Sequence, residues 1–143
     1  MIDGVFTSPL GRATATAQIF ANHTGAPVLV IDELAEVHHG RFAGMTDEDV
    51  YALYPGELER RAKDKYGWTF PGGESYADAD QRAGHALARA ATHRVCRPLI
   101  VSHEMIGRML QRHLLRLDRH EALARWTAQR CGLRDRSSYR QST

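Results

Sequence analysis

The stretch PLIVSHEMIGRML, residues 98–110, decides the fold. Leu99, Ile100 and Val101 form the short apolar run that a buried parallel strand needs. Ser102 can cap a helix, and Met105, Ile106, Met109, Leu110, Leu114 and Leu117 then recur at helical spacing. His103 is therefore expected at a strand-to-helix switch, at the C-terminal end of a strand. Open α/β sheets place their ligands there, and the free amides of a helix N-terminus favour anions. Taken alone, the same stretch reads equally well as a buried junction whose polar residues only cap a helix.

Working outward, residues 2–7 (IDGVFT) read as a strand, and Ser8-Pro9-Leu10 turns the chain into a helix from about Gly11 to His23, stopped by Gly25. Residues 26–31 (APVLVI) give a second strand, followed by a polar, Gly-punctuated loop from Asp32 to Met45. Thr46 opens a helix with an acid-rich first turn that Pro55-Gly56 ends, and Leu58 to Tyr66 is a charged helical segment. After the loop Trp68 to Gly73, Ser75 caps a long helix to about His93 with Tyr76, Ala79, Ala83, Leu87, Ala90 and Ala91 on one face. Glu121 to Trp126 adds a turn or two. Strands alternating with helices predict an α/β three-layer sandwich, a mostly parallel sheet with helices on both faces. Residues 1–126 read as one domain, and residues 127–143, which show neither periodicity, as an irregular basic tail.

Composition sets outer bounds. Of 143 residues, 43% are hydrophobic and 25% charged, the profile of an ordinary soluble domain. From Arg108 onward there are nine arginines, no lysine and three acids, so the end of the chain is its basic part. Those arginines lack interleaved aromatics apart from Trp126 and Tyr139, which favours a solvated tail and no nucleic-acid partner. Cys96 and Cys131 form no disulfide framework or metal-ligand spacing, so a reducing cytoplasm is the expected compartment. No apolar run approaches spanning length, so no membrane partner is expected, and the N-terminus lacks the features of a signal peptide.

Several short constellations bear on chemistry. In SPLGRA, residues 8–13, Arg12 falls in a first helical turn just beyond a strand end, where a guanidinium can hold a phosphate beside the helix amides; a surface arginine is the plainer alternative. In LAEVHHGRFAG, residues 34–44, Gly40 and Gly44 lie four and eight residues after Glu36, and a folded loop there could aim that carboxylate inward as a general acid. His38 and His39 are adjacent, with no third ligand at a useful spacing, so they read as loop histidines and no metal is expected. Pro71-Gly-Gly-Glu74-Ser75 is a loop ending at a cap, and His85, His93, His113 and His120 read as exposed helix residues.

Taken together and in order, these pieces resemble the histidine phosphatase superfamily, the phosphoglycerate-mutase-like fold, over about residues 2–120. SPLGRATATA is similar to that family's Ser-Pro-Leu-x-Arg-Ala-x-x-Thr-Ala segment and LAEVHHGRFAG to its Leu-x-Glu-x-x-x-Gly-x-x-x-Gly loop, with PGGES and the Val-Ser-His of residues 101–103 completing the series. The resemblance implies phosphomonoester hydrolysis through a phosphohistidine, or a mutase, acting on a small phosphorylated substrate without a cofactor. Arg12 and His103 would bind the phosphoryl group, Glu36 would protonate the leaving oxygen, and Ser8, Glu74, Ser75 and Glu104 would line the pocket. Homodimerisation stays open.

The chain departs from the pattern in three places. The family opens with a strand ending in Arg-His-Gly, whose histidine is the nucleophile, and none of the eight histidines here precedes Ser8. The expectation is a truncated member lacking that interior strand beside the His103 strand, with unpaired sheet edges, low stability and impaired or absent turnover. The alternatives are a non-catalytic phosphate- or partner-binding remnant and, last, a nucleic-acid module. Glu104 stands where the family commonly has glycine and could compete with a bound phosphate. The closing strand that the family usually adds is not evident after Trp126.

Overall fold

Val5 and Phe6 are adjacent and both essentially fully buried, so they define two cores on opposite faces of one sheet. The computed structural model describes residues 1–125; Trp126 and the expected tail, residues 127–143, lie outside the described residues. Strands β1 (Gly4–Thr7), β2 (Val28–Val30) and β3 (Pro98–Val101) run parallel in the order β2-β1-β3. Val5 pairs with Val28 and Leu99, and Thr7 with Val30 and Val101.

On the Val5 face, Val28, Leu99 and Val101 pack with Ala17 of helix α1 (Gly11–Thr24). Alanines at 13, 17 and 21 let that helix lie close to the sheet. On the Phe6 face, Leu29 and Ile100 meet Ala79, Ala83 and Ala86 of α4 (Tyr76–Ala91) and Ile106 and Met109 of α5 (Glu104–Leu115). Each large side chain buried there stabilises the fold by about 1.5–3 kcal/mol. Short helices α2 (Asp47–Leu53), α3 (Glu57–Lys63) and α6 (Arg119–Ala124) complete the described chain. The result is the three-layer α/β arrangement that the alternating pattern predicts.

Local chemistry places most boundaries where the sequence puts them. Gly25 ends α1 in the left-handed region at φ 72°, and Thr46 and Ser75 open α2 and α4 with capping boxes to Asp49 and Asp78. β2 is shorter than the run of residues 26–31 because only Val28 to Val30 stand in register with β1. The loop from Asp32 to Met45 contains two 3-10 turns, Asp32–Leu34 and Gly40–Phe42. The start of α5 differs from expectation. The cap residue is His103, not Ser102, and it makes no side-chain cap bond.

Among the described residues no strand pairs with the outer edge of β3. Residues of β1 are all buried, whereas Pro98 is exposed and Leu99, Ile100 and Val101 are half-buried. A groove of about 280 Å³ runs along that edge, lined by Thr16 and Phe20 of α1, Leu99, Val101, and Gly107 and Gln111 of α5.

Candidate functional site

Parallel pairing brings the ends of β1 and β3 together, and with them the starts of α1 and α5. Ser8 follows β1 directly and is fully buried, and its backbone N–H donates to Val101 O at 3.0 Å. His103, two residues beyond β3, is also buried, and its Nε2 lies 2.8 Å from Ser8 Oγ. Arg12, in the first turn of α1, donates its Nε–H to His103 Nδ1 at 3.3 Å. That contact makes Nδ1 the acceptor and puts the ring proton of the neutral imidazole on Nε2, directed at Ser8 Oγ. Burial lowers the His103 pKa below its ordinary 6.5; the nearby Glu36 charge opposes the shift and Arg12 adds to it. The first turn of α1 has no side-chain cap, and the Nη atoms of exposed Arg12 have no partner among the described residues. Serine, histidine and arginine thus form one chain that ends in free cationic donors beside a helix N-terminus.

Glu36 reaches the same corner from the far side. Its Oε1 accepts from Ile106 N at 3.0 Å and Val37 N at 2.8 Å, and its Oε2 accepts from Met105 N at 3.2 Å. The carboxylate therefore caps α5 from 69 residues away in sequence, supplying what His103 does not. A single side chain from a remote loop thereby fixes where α5 starts.

Glu74 is held by its own set of contacts. Its Oε1 accepts from His38 N at 2.9 Å and from Arg82 Nη2 at 2.6 Å. Glu36, Glu74, Arg82, Asp32 and His38 line a cavity of about 360 Å³. Ser75, buried, bonds Asp78 and starts α4; it lines neither this cavity nor the β3 groove. His103 and Glu104 face the upper end of that groove. The Glu104 carboxylate is drawn along α5 to Arg108 Nη2 at 2.6 Å, while Arg108 Nη1 donates to the Leu123 carbonyl. The structure therefore gathers Ser8, Arg12, Glu36 and His103 closely, sets Glu74 one loop away, and uses Ser75 as a cap.

Two features went unread in the sequence. Arg82 borders the buried alanine face of α4, and a charged residue beside such a face was the one available signal. His113 is exposed as expected, yet its Nε2 lies 3.0 Å from Oδ1 of buried Asp80, which also takes Arg112 at 2.9 Å and the Tyr66 hydroxyl at 2.5 Å. Burial, with Asp80 beside it, pushes the Tyr66 phenol up to about 12. His93 is exposed as expected, just past the end of α4, with its ring 5.6 Å from that of Phe6 between centroids. Among the described residues, no group of three or more His, Cys, Asp or Glu side chains is arranged to hold a metal ion. Nor is any helix among them long and apolar enough to cross a membrane.

The family model described as histidine phosphatase superfamily (branch 1) matches residues 1–135. The chain belongs to that superfamily. The chain is 30% identical over 118 residues to phosphoserine phosphatase 1 of Hydrogenobacter thermophilus, covering 82% of the chain and 56% of that protein. It is 36% identical over 107 residues to the 6-phosphofructo-2-kinase/fructose-2,6-bisphosphatase of Arabidopsis thaliana, covering 74% of the chain and 14% of that protein. Among solved structures it matches the alpha-ribazole phosphatase of Shigella flexneri with a TM-score of 0.75 at 25% identity, over 86% of the chain and 61% of that structure. A mycobacterial glucosyl-3-phosphoglycerate phosphatase matches with a TM-score of 0.70 at 27% identity, over 83% of the chain and 60% of that structure. The chain thus spans a little over half, or less, of these curated relatives and about three fifths of these structures.

Proposed function

We propose that this chain binds the phosphoryl group of a small phosphomonoester at the Arg12–His103 corner. One observation carries the reading: the Ser8–His103–Arg12 chain leaves the guanidinium Nη donors free beside the uncapped start of α1. Such donors match a dianionic phosphate, and they would stabilise the charge that accumulates on equatorial oxygens during phosphoryl transfer. The phosphatase names of the relatives support the same ligand class.

Each residue of the corner has its own part in this chemistry. Arg12 grips the phosphoryl oxygens, and His103, fixed by Ser8, holds the Arg12 guanidinium at that place. Glu36, held by the amides of Val37, Met105 and Ile106, sets its carboxylate on the far side of the same corner. Among the described residues His103 is the one histidine in this corner, and it is committed to Ser8 and Arg12. Hydrolysis through a phosphohistidine thus needs a nucleophile that these residues do not supply, and the chain by itself acts as a phosphate binder.

Calorimetry of the 143-residue chain with inorganic phosphate tests this. Arg12→Ala should weaken binding about tenfold to a hundredfold, the worth of a charged hydrogen bond. Equal affinity of Arg12→Ala, His103→Ala and the unaltered chain would refute the assignment. Turnover of para-nitrophenyl phosphate by the same chain would refute the binder reading.

A further inference from the structure

Arg82 touches neither Arg12 nor His103, yet every donor it has is spent on the two loops that carry the carboxylates of the site. Its Nη1 donates to Glu33 O and Ala35 O, both at 2.7 Å. Its Nη2 donates to Glu36 O at 3.4 Å and Glu74 Oε1 at 2.6 Å, and its Nε to Glu74 Oε2 at 3.3 Å. A guanidinium has five N–H bonds, and here all five are used. The backbone carries the tie further: Glu74 N donates to His38 O at 2.9 Å, and Arg41 N donates to Pro71 O at 2.8 Å. Gly40 and Gly73 let these loops touch. A Cβ on Gly40 would lie 2.1 Å from Pro71 O, and one on Gly73 2.2 Å from His38 O.

We infer that Arg82 is the positioning residue for Glu36, holding the 33–36 backbone so that the Glu36 carboxylate meets the start of α5 beside His103. The inference deepens the phosphoryl-site reading and rests on it in treating Glu36 as a functional group. The geometry requires arginine. One planar fork answers three carbonyls and a bidentate carboxylate at once, whereas a lysine ammonium has three donors and no fixed plane. A bare Arg82–Glu74 ion pair would need none of the three carbonyl contacts, and those carbonyls flank or belong to Glu36. The side chain therefore acts on the backbone of the residue that caps α5.

The test is amide NMR of the full chain, with no phosphate present. The N–H groups of Met105 and Ile106 bond Glu36, so their chemical shifts should move as that carboxylate is protonated. Glu36→Gln should abolish the movement. Arg82→Met should reduce its amplitude more than twofold while the amides of β1 and β3 keep their positions, and Arg82→Lys should restore it only in part. Unchanged Met105 and Ile106 titrations in Arg82→Met would overturn the inference. Should Arg82→Met fail to fold, Arg82→Lys decides it, because an amplitude equal to that of the unaltered chain would show that the fork is not needed. A chain that binds no phosphate but loses these titrations in Arg82→Met would sink the proposed function and leave the positioning role standing.

Discussion

Replacing Glu36 with alanine should destabilise the fold before any question of chemistry arises. The carboxylate bonds the second and third amides of α5, and His103 contributes no side-chain cap of its own. Loss of a cap costs about 1 kcal/mol. Loss of a negative charge at a helix start adds about 0.3–1 kcal/mol. Ile106 is fully buried, so its released N–H is poorly placed to find water, which adds up to about 1 kcal/mol. These contributions overlap, and the expected total is about 2 kcal/mol. For a chain of this size that corresponds to a fall in Tm of about 8 °C. Glu36→Gln keeps an acceptor and loses the charge, and should cost about half as much. Urea unfolding of the three proteins side by side gives the answer. A Glu36→Ala variant within about 0.5 kcal/mol of the parent would show that α5 is capped by something else, and the trans-cap argument would fail.

The geometry carries two more expected outcomes. The lowered pKa of His103 means that the native state prefers the neutral ring, so the unfolded chain takes up a proton first as the pH falls. This contribution to stability should be complete above about pH 6.5 and decline below it, and the ring resonances of His103 should titrate with a midpoint under 6.5; a midpoint at or above that value would refute the burial argument. Asp80→Ala should cost about 3 kcal/mol in denaturant unfolding, because it strips the partner from Arg112 and His113 and the acceptor from Tyr66 while leaving those groups in place between α4 and α5. A cost below about 1 kcal/mol would mean that those groups resolvate freely.

Local features of the sequence proved the most readable. The PLIV run, the IDGVFT run and Ser75 ahead of an apolar face each act on their near neighbours, and each lies where pattern and capping rules place it. Arg12 and His103 were readable for the same reason, since both stand just beyond strand ends. The position of a strand in the sheet, by contrast, is a property of pairs. Nothing within residues 98–101 says which neighbour they take. Glu36 shows the limit most clearly. Its loop suggests an inward carboxylate, but that the carboxylate lands on the amides of residues 105 and 106 depends on a contact across the whole fold. Arg82, eight residues after Glu74 on a continuous helix, gives no local sign that its guanidinium crosses to the 33–36 loop. His113 is exposed on its helix as expected, but its contact with Asp80 escaped notice because helical periodicity describes one helix and Asp80 belongs to another.

The pairing of Thr7 with Val101 behaves like the notch of a key. Ser8 and His103 meet only because each stands at a fixed count beyond that pair. A slip of one residue turns every side chain of β3 to the wrong face, and a slip of two carries His103 about 7 Å along the strand, out of reach of Ser8. No intermediate error is available, so the corner is either assembled or absent. A preparation containing mispaired molecules should therefore show fewer binding sites per mole of protein, each with undiminished strength. The stoichiometry of a titration, read in this way, counts the molecules whose central sheet has closed in register.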